Sequence, residues 1–423
     1  MDKRCISVIL GGMLLRLLLF TAFPSLPTLL GNRVEISTPV TSFKRLQEGL
    51  FLYTHGVSPY DGGVYHQAPL LLAFFSMMPS SAMATNLIYI IADIQSTLAL
   101  IDIARSGWST KSRLHESKRK EMAWPAWGVA AAFLFNPFTI AACIGRPTVV
   151  FTNTVILTAI AKAIQGRPTP ATLALALSSY LSLYPCLLLA PLVLLSYDFL
   201  LHCHSTTLLP TNFSLSKFAT TQVTIYFTAV ACLLGLSYLI TGNSWEFLAS
   251  TYGVHLFLPD LTPNVGLWWY FFIEMFDPFR EFFLCVFQLH LLIYAPGLTI
   301  RLRKQPLFVC ITMLGILSIF KSYPSIGDTA LYLSLLPLYR HIIPLMRYSF
   351  VVTSAILYAT LLGPAFYHLW IYAGSGNANF FYAITLVWSL SVTLVVADAL
   401  FAVLREEWEV EGNGREGKPV VQI

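Results

Sequence analysis

Apolar runs of span length recur along the chain with only short polar joints between them, and this recurrence limits the fold more than any single motif. A helix of about 20 residues crosses roughly 30 Å of hydrocarbon, so each run is a candidate span. Composition agrees: 56% of residues are apolar and 11% charged, with a mean hydropathy of +0.67, outside the range of water-soluble globular domains. A transmembrane barrel would instead show alternating strands of about 10 residues, and none is visible. The chain reads as an all-α polytopic membrane protein.

The amino-terminal MDKRCISVILGGMLLRLLLF has the basic start and apolar run of a signal peptide, but no small-residue cleavage site follows Phe20 before Gly31. It reads as an uncleaved first span, with Lys3 and Arg4 cytosolic. The block 105–124 carries Arg105, Lys111, Arg113, Lys118, Arg119 and Lys120 against Glu116 and Glu121, the strongest positive-inside mark in the chain. For that block to be cytosolic, only one of the apolar pieces 69–79 and 84–104 can cross; 69–79, about 16 Å as a helix, is expected to be partial or interfacial. The remaining spans fall near 126–142, 148–164, 171–184, 186–200, 219–241, 282–300, 306–320, 328–343, 348–371 and 380–404, giving about twelve. The basic joints at 301–305 and 340–347 then also fall on the cytosolic side. Pro185 makes 171–200 either two short helices, one kinked span or a re-entrant pair.

This topology predicts one membrane domain over 1–404, a short cytosolic tail at 405–423, and two luminal segments, about 24–83 and 242–281. The second contains LWWYFFIEMFDPFREFFLCVFQ, in which Glu274, Asp277, Arg280 and Glu281 thread a run of aromatic residues. Read as one amphipathic interfacial helix, it sets Glu274, Asp277 and Glu281 on one face and Phe272, Phe276, Phe279 and Phe283 around the other. Such a belt serves either as an anchor at the headgroup level or as a lipid-headgroup site, with Trp269, Phe272, Glu274, Phe276, Asp277 and Arg280 as the contact residues. The segment YAGSGNANFFYAITL, 372–386, places Asn377, Asn379 and Phe380 at the luminal mouth of the last span, either as a tight turn with Asn379 as the helix cap or as ligand contacts on a lipid-facing rim.

In the first luminal segment, Ser37 or Thr38 before Pro39 is expected to start a helix with Val40, Phe43, Leu46 and Leu50 on one face. Glu35, Asp61 and His66 read individually as solvated loop residues. Arg16 and Asp93 lie deep in expected spans and must face protein or a water-filled space; Asp102 and Asp398 sit nearer cytosolic ends and can snorkel or pair. His66, His255, His290 and His368 are separate in sequence. The seven cysteines show neither a disulfide framework nor a metal spacing, and no catalytic constellation, cofactor motif or nucleic-acid signature appears. The sequon Asn212-Phe213-Ser214 falls on the expected cytosolic side, where it stays unmodified.

The ordered segments RVEISTPVTSFKRLQEG, GVSPY, Tyr184-Pro185, WWYFFIEMFDPFREFFLCVFQ and GNANFFYAITL resemble, over nearly the whole chain, the PIG-U family of glycosylphosphatidylinositol (GPI) transamidase subunits. The resemblance implies a multi-pass subunit of the endoplasmic-reticulum membrane, both termini cytosolic, without protease chemistry of its own. It would help present the GPI glycolipid to a complex containing the caspase-like PIG-K together with PIG-T, PIG-S and GPAA1. The membrane fold also resembles the C-type glycosyltransferases (GT-C), whose dolichol-phosphate-dependent mannosyltransferase is the alternative function. Those enzymes carry an Asp-x-Asp pair where this chain reads Val34-Glu35-Ile36-Ser37, and the lone carboxylate argues for a retained lipid-binding cavity without transfer chemistry.

Overall fold

The computed structural model describes residues 2–203 and 214–412. Apart from one isolated bridge between Lys111 and Glu116, its regular structure is helical. The amino-terminal part comprises α1 (Lys3–Ala22), α2 (Leu26–Gly31), α3 (Phe43–Thr54), α4 (Pro69–Ser76) and α5 (Ala82–Arg105). A bent pair, α6 (Ala126–Leu134) and α7 (Pro137–Gly145), follows, then α8 (Val149–Ala163), α9 (Pro168–Leu181), α10 (Leu189–Cys203) and α11 (Leu215–Ile240). Two short helices, α12 (Glu246–Leu248) and α13 (Val254–Phe257), flank a π turn at Ala249–Gly253. The rest is α14 (Trp268–Ile273), α15 (Asp277–Arg301), α16 (Pro306–Phe320), α17 (Ile326–Leu335), α18 (Ser349–Ile371) and α19 (Ala378–Glu411).

A helix occupies every place where a span was expected, but among the described residues only seven are long and apolar enough to cross a membrane, or eight if the pair α6–α7, bent by 53°, is one span. The other four places hold α8, α9, α16 and α17, of 15, 14, 15 and 10 residues, about 15–22 Å at the helical rise. For α16 the packing accounts for the short length. α16 is buried along nearly its whole length at the centre of the main apolar core, and a helix wrapped in protein need not match the thickness of the lipid. Pro185 opens a 3₁₀ segment, Tyr184–Leu188, that divides α9 from α10, because its ring cannot continue the preceding helix.

The partial helix expected over 69–79 is α4, eight residues beginning at Pro69. Two expectations fail locally. α3 starts at Phe43 with Ser42 as its cap, accepting from Arg45 N at 3.4 Å, so Ser37-Thr38-Pro39 precedes the helix and Val40 is outside it. In place of a helix start, the backbone of 33–42 closes consecutive turns, Ser37 N to Arg33 O and Ser42 N to Thr38 O. The last helix is capped by Asn377, which accepts from Phe380 N at 3.3 Å, and Asn379 lies inside it.

All the basic joints meet at one end of the helices. Arg4 lies over Trp127 at 5.9 Å and Arg340 over Trp124 at 5.7 Å, Ser112 Oγ donates to Lys304 O at 2.5 Å, and Arg119 pairs with Glu409 at 2.6 Å. α19 continues through Glu406 and Glu409, which are buried against this basic layer, with Lys304 paired to Glu411 at its edge. Asp398 accepts from Arg347 N and Tyr348 N at 2.8–2.9 Å and so satisfies the start of α18, while Asp102 accepts from Gln165 at 2.8 Å. The sequon at Asn212 lies outside the described residues.

Deep in the bundle, Arg16 of α1 donates to Asp93 of α5 at 2.7 Å and to Leu134 O of α6 at 2.9 Å, with the side chains 1% and 5% exposed. One charge alone here would be severely penalised, whereas the pair is close to neutral against apolar replacement. Asp93→Asn is therefore expected to destabilise the solubilised protein by about 3–5 kcal/mol, and Arg16→Met with Asp93→Leu to regain most of that loss. Thermal unfolding in detergent checks both.

Candidate functional site

The end opposite the basic layer holds the aromatic motif. Its single expected helix is in fact two. Proline lacks a backbone donor and is best accommodated in a helix's first turn, and Pro278 stands there at the restart of the helix as α15; Phe276 before it is extended, with φ −69° and ψ 134°. Glu274 ends α14, and it therefore does not share a helical face with Asp277 and Glu281. This corrects the amphipathic-helix reading.

The break divides the expected contact residues into two sets. Trp268, Trp269 and Phe272 are at most 2% exposed. Trp268 Nε1 donates to Phe320 O at 2.9 Å, and Trp269 packs on Trp370, Phe381 and Tyr382 with ring centroids 5.7–6.2 Å apart. Arg280 turns inward, donating to Leu258 O at 2.7 Å beneath the Phe272 ring. Trp269, Phe272 and Arg280 thus build the scaffold. Glu274, Phe276, Asp277, Asn377, Asn379 and Phe380 are all exposed above it, Phe276 by 76% and Phe380 by 54%.

The two sequence-distant segments meet through residues that sequence reasoning did not single out. Tyr270 stacks on Tyr382 at 4.6 Å and donates its hydroxyl to Asn379 Oδ1, while Tyr382 donates to Leu267 O at 3.0 Å. Partial desolvation and the neighbouring Glu274 carboxylate push the Tyr270 phenol up, so the hydroxyl stays protonated as the donor between Glu274 and Asn379. The available signal was the tyrosine itself: within a run of Trp and Phe, a phenol is the ring that also needs a polar partner. The resulting rim can offer carboxylates and amides to a polar group and exposed rings to apolar chains.

Glu35 is not a solvated loop residue. It is 5% exposed, held by Arg33 Nη2 at 2.8 Å and Nε at 3.2 Å, and its carbonyl accepts from Ile326 N at 2.8 Å. Asp61 is exposed. His66 is likewise buried, 5% exposed, and with His255 it lines one partly enclosed cavity together with Tyr184, Lys321 and Asp328, brought there from separate parts of the sequence. Burial, aided by Lys321 and His66, pushes His255 down to about 3. His290 bonds Tyr294 at 3.0 Å and His368 stacks on Tyr372. Among the described residues no three His, Cys, Asp or Glu side chains are grouped to hold a metal ion.

Residues 10–388 match the family model of the GPI transamidase subunit PIG-U. Curated relatives include the GPI-anchor transamidase component PIGU of Cricetulus griseus, 37% identical over 400 residues covering 91% of this chain and 90% of the relative. The protein of the same description from Homo sapiens is 36% identical over the same shares. The GPI transamidase component GAB1 of Saccharomyces cerevisiae is 35% identical over 411 residues, 97% of each chain.

The division between scaffold and rim has a direct consequence. Trp269→Ala, which empties a buried aromatic site, is expected to cost about 3–5 kcal/mol; Phe276→Ala, which removes an exposed ring, should change stability by less than about 0.5 kcal/mol. Thermal midpoints of the two purified variants, read against the parent, check the contrast.

Proposed function

The chain belongs to the PIG-U family of GPI transamidase subunits, and from that premise we propose that it is a non-catalytic membrane subunit of a GPI transamidase complex, binding the GPI glycolipid at its aromatic rim and presenting it for attachment to precursor proteins. The observation that carries this reading is the arrangement of the family-like aromatic and Asn segments. The buried Trp269 and Phe381 rings and the half-buried Tyr270–Tyr382 stack lock them together, and their polar and apolar tips remain exposed at the end away from the basic layer.

With the basic layer cytosolic by the positive-inside rule, the rim lies at the luminal face of the endoplasmic-reticulum membrane. A glycolipid offers that rim three kinds of group: hydroxyls and amines that donate to carboxylates, phosphates that accept from amides, and acyl chains that cover exposed rings. Glu274 and Asp277 meet the donors, the amide nitrogens of Asn377 and Asn379, whose oxygens already accept from Phe380 N and Tyr270, donate to the phosphates, and Phe276 and Phe380 meet the chains. Partners on this reading are the caspase-like PIG-K, which supplies the bond-breaking chemistry, with PIG-T, PIG-S and GPAA1. Holding one substrate beside that centre turns a bimolecular encounter into a local one.

The mannosyltransferase alternative has less support. Its relatives would carry paired acids at the loop head, whereas the lone Glu35 is engaged in both oxygens by Arg33, a structural ion pair rather than a poised base.

The test is a double variant, Glu274→Gln with Asp277→Asn, which keeps size and most hydrogen bonding while removing charge. The expected outcome is normal membrane insertion and partner recovery with a several-fold rise in the ratio of unprocessed to anchored precursor. Normal processing contradicts the headgroup role; lost partner recovery assigns the two carboxylates to assembly.

A further inference from the structure

Behind the rim, among α8, α13, α16 and α17, lies the partly enclosed cavity that gathers His66, Gln67, Tyr184, His255 and Lys321. Its inner volume is about 40 Å³, and the unfilled space continuous with it, mouth included, is about 760 Å³. By the space one water needs, the inner part alone admits about three water-sized groups. Two broken elements border this region: the 3₁₀ segment opened by Tyr184-Pro185 and the π turn Ala249–Gly253, a distortion that recurs at functional sites.

Two adjacent wall residues each keep one buried polar atom without a partner, His66 Nε2 and Gln67 Oε1, on side chains of residues only 5% and 2% exposed. A backbone carbonyl fixes the character of each free atom. Ser250 O faces His66 Nδ1 at 2.9 Å and can only accept, so Nδ1 carries the proton. Burial depresses the imidazole's basicity and keeps the ring neutral, leaving Nε2 as a lone pair. Ser42 O accepts from Gln67 Nε2 at 2.7 Å, so the free amide atom is the oxygen. Both orphans are therefore acceptors, and buried acceptors are costly unless a donor reaches them.

That requirement narrows the ligand. An anion brings acceptors only and fails at both atoms. An added cation would meet Lys321, while the one carboxylate on the wall, Asp328, is already paired to it at 2.7 Å. Among ligands larger than water, a neutral hydroxyl donates to the orphans and can also accept from the lysine. We propose that this cavity is a binding site for the hydroxyl-bearing end of a small neutral polyol, with His66 Nε2 and Gln67 Oε1 as its acceptors. The source is either a polyol-headed membrane lipid or a free polyol. The cavity and the rim's scaffold lie on the two sides of the turn after α16, where Phe320 O accepts from Trp268 and the next residue, Lys321, lines the cavity.

The test uses the intact complex purified in detergent without glycerol. Its thermal midpoint is read after addition of neutral monoglucosyl diacylglycerol, of phosphatidylcholine, whose head has no hydroxyl donor, or of free glucose, each beside the Gln67→Met variant. The expected result is a saturable rise of several degrees with the glucosyl lipid, none with phosphatidylcholine, and loss of the rise in Gln67→Met. A rise with free glucose alone identifies a soluble polyol as the source and also supports the site. Equal effects of the two lipids, no effect of either polyol, or a full rise in the variant overturns it. If the variant does not assemble, the glucosyl-lipid complex decides by its density: connected density bridging His66 and Gln67 supports the proposal, and separate water peaks overturn it.

Discussion

Hydrocarbon offers neither hydrogen bonds nor charge solvation, and that constraint sorts every polar group in this chain. Charges are driven to the two ends of the helices, and where one stays deep it must be matched. Arg16 and Asp93 are the clearest case, tying α1 to α5 and, through Leu134 O, to α6. The same pressure lets short helices such as α16 exist, since they are buried in protein and not lipid. It also makes the remaining unmatched polar atoms informative: an orphan in the interior is a cost that something must offset.

At the basic end the sorting produces a closed, self-neutralising layer, in which the acidic last turns of α19 clasp the loop 105–124 through Arg119–Glu409 and Ser117–Glu406. At the other end Arg33–Glu35, Arg45–Asp260 and Lys321–Asp328 are paired, but the rim carboxylates Glu274 and Asp277 stand exposed. Pro278 breaks the aromatic segment so that the rings before it sink into the core while Phe276 and Asp277 stand clear. Tyr270 then ties this edge to the start of α19. An edge whose rigid aromatic base is buried and whose tips are mixed in polarity suits a ligand that is half sugar and half lipid, because the base costs no reorganisation on binding.

Much of this was legible in the sequence because hydrophobic runs and basic joints obey strong one-dimensional rules. The places of the helices, the partial helix at Pro69 and the need to partner Arg16 with protein all follow from them. What was not legible depends on three-dimensional closure. Nothing local announces that α16 is enclosed in protein along nearly its whole length, or that Glu35 is held by Arg33. The aromatic segment reads as one helix until Pro278 is given its full weight as a restart signal, and the burial of Trp269 and Phe272 and the inward turn of Arg280 beside exposed Glu274 and Phe276 are properties of packing. Likewise His66, Lys321 and His255 are separated by long stretches of chain, and only the bundle brings them to one cavity.

The central claim is that the glycolipid is held at the rim. Its most direct measurement is photocrosslinking of a labelled GPI glycolipid to the assembled complex carrying p-benzoylphenylalanine at Phe276, at Phe380 or, as a control on another helix, at Phe227, which is 62% exposed on α11. Crosslinks at 276 and 380 that compete with unlabelled glycolipid, and none above background at 227, are the predicted result. Equal labelling at all three positions, or labelling at 227 without the rim, would contradict the account.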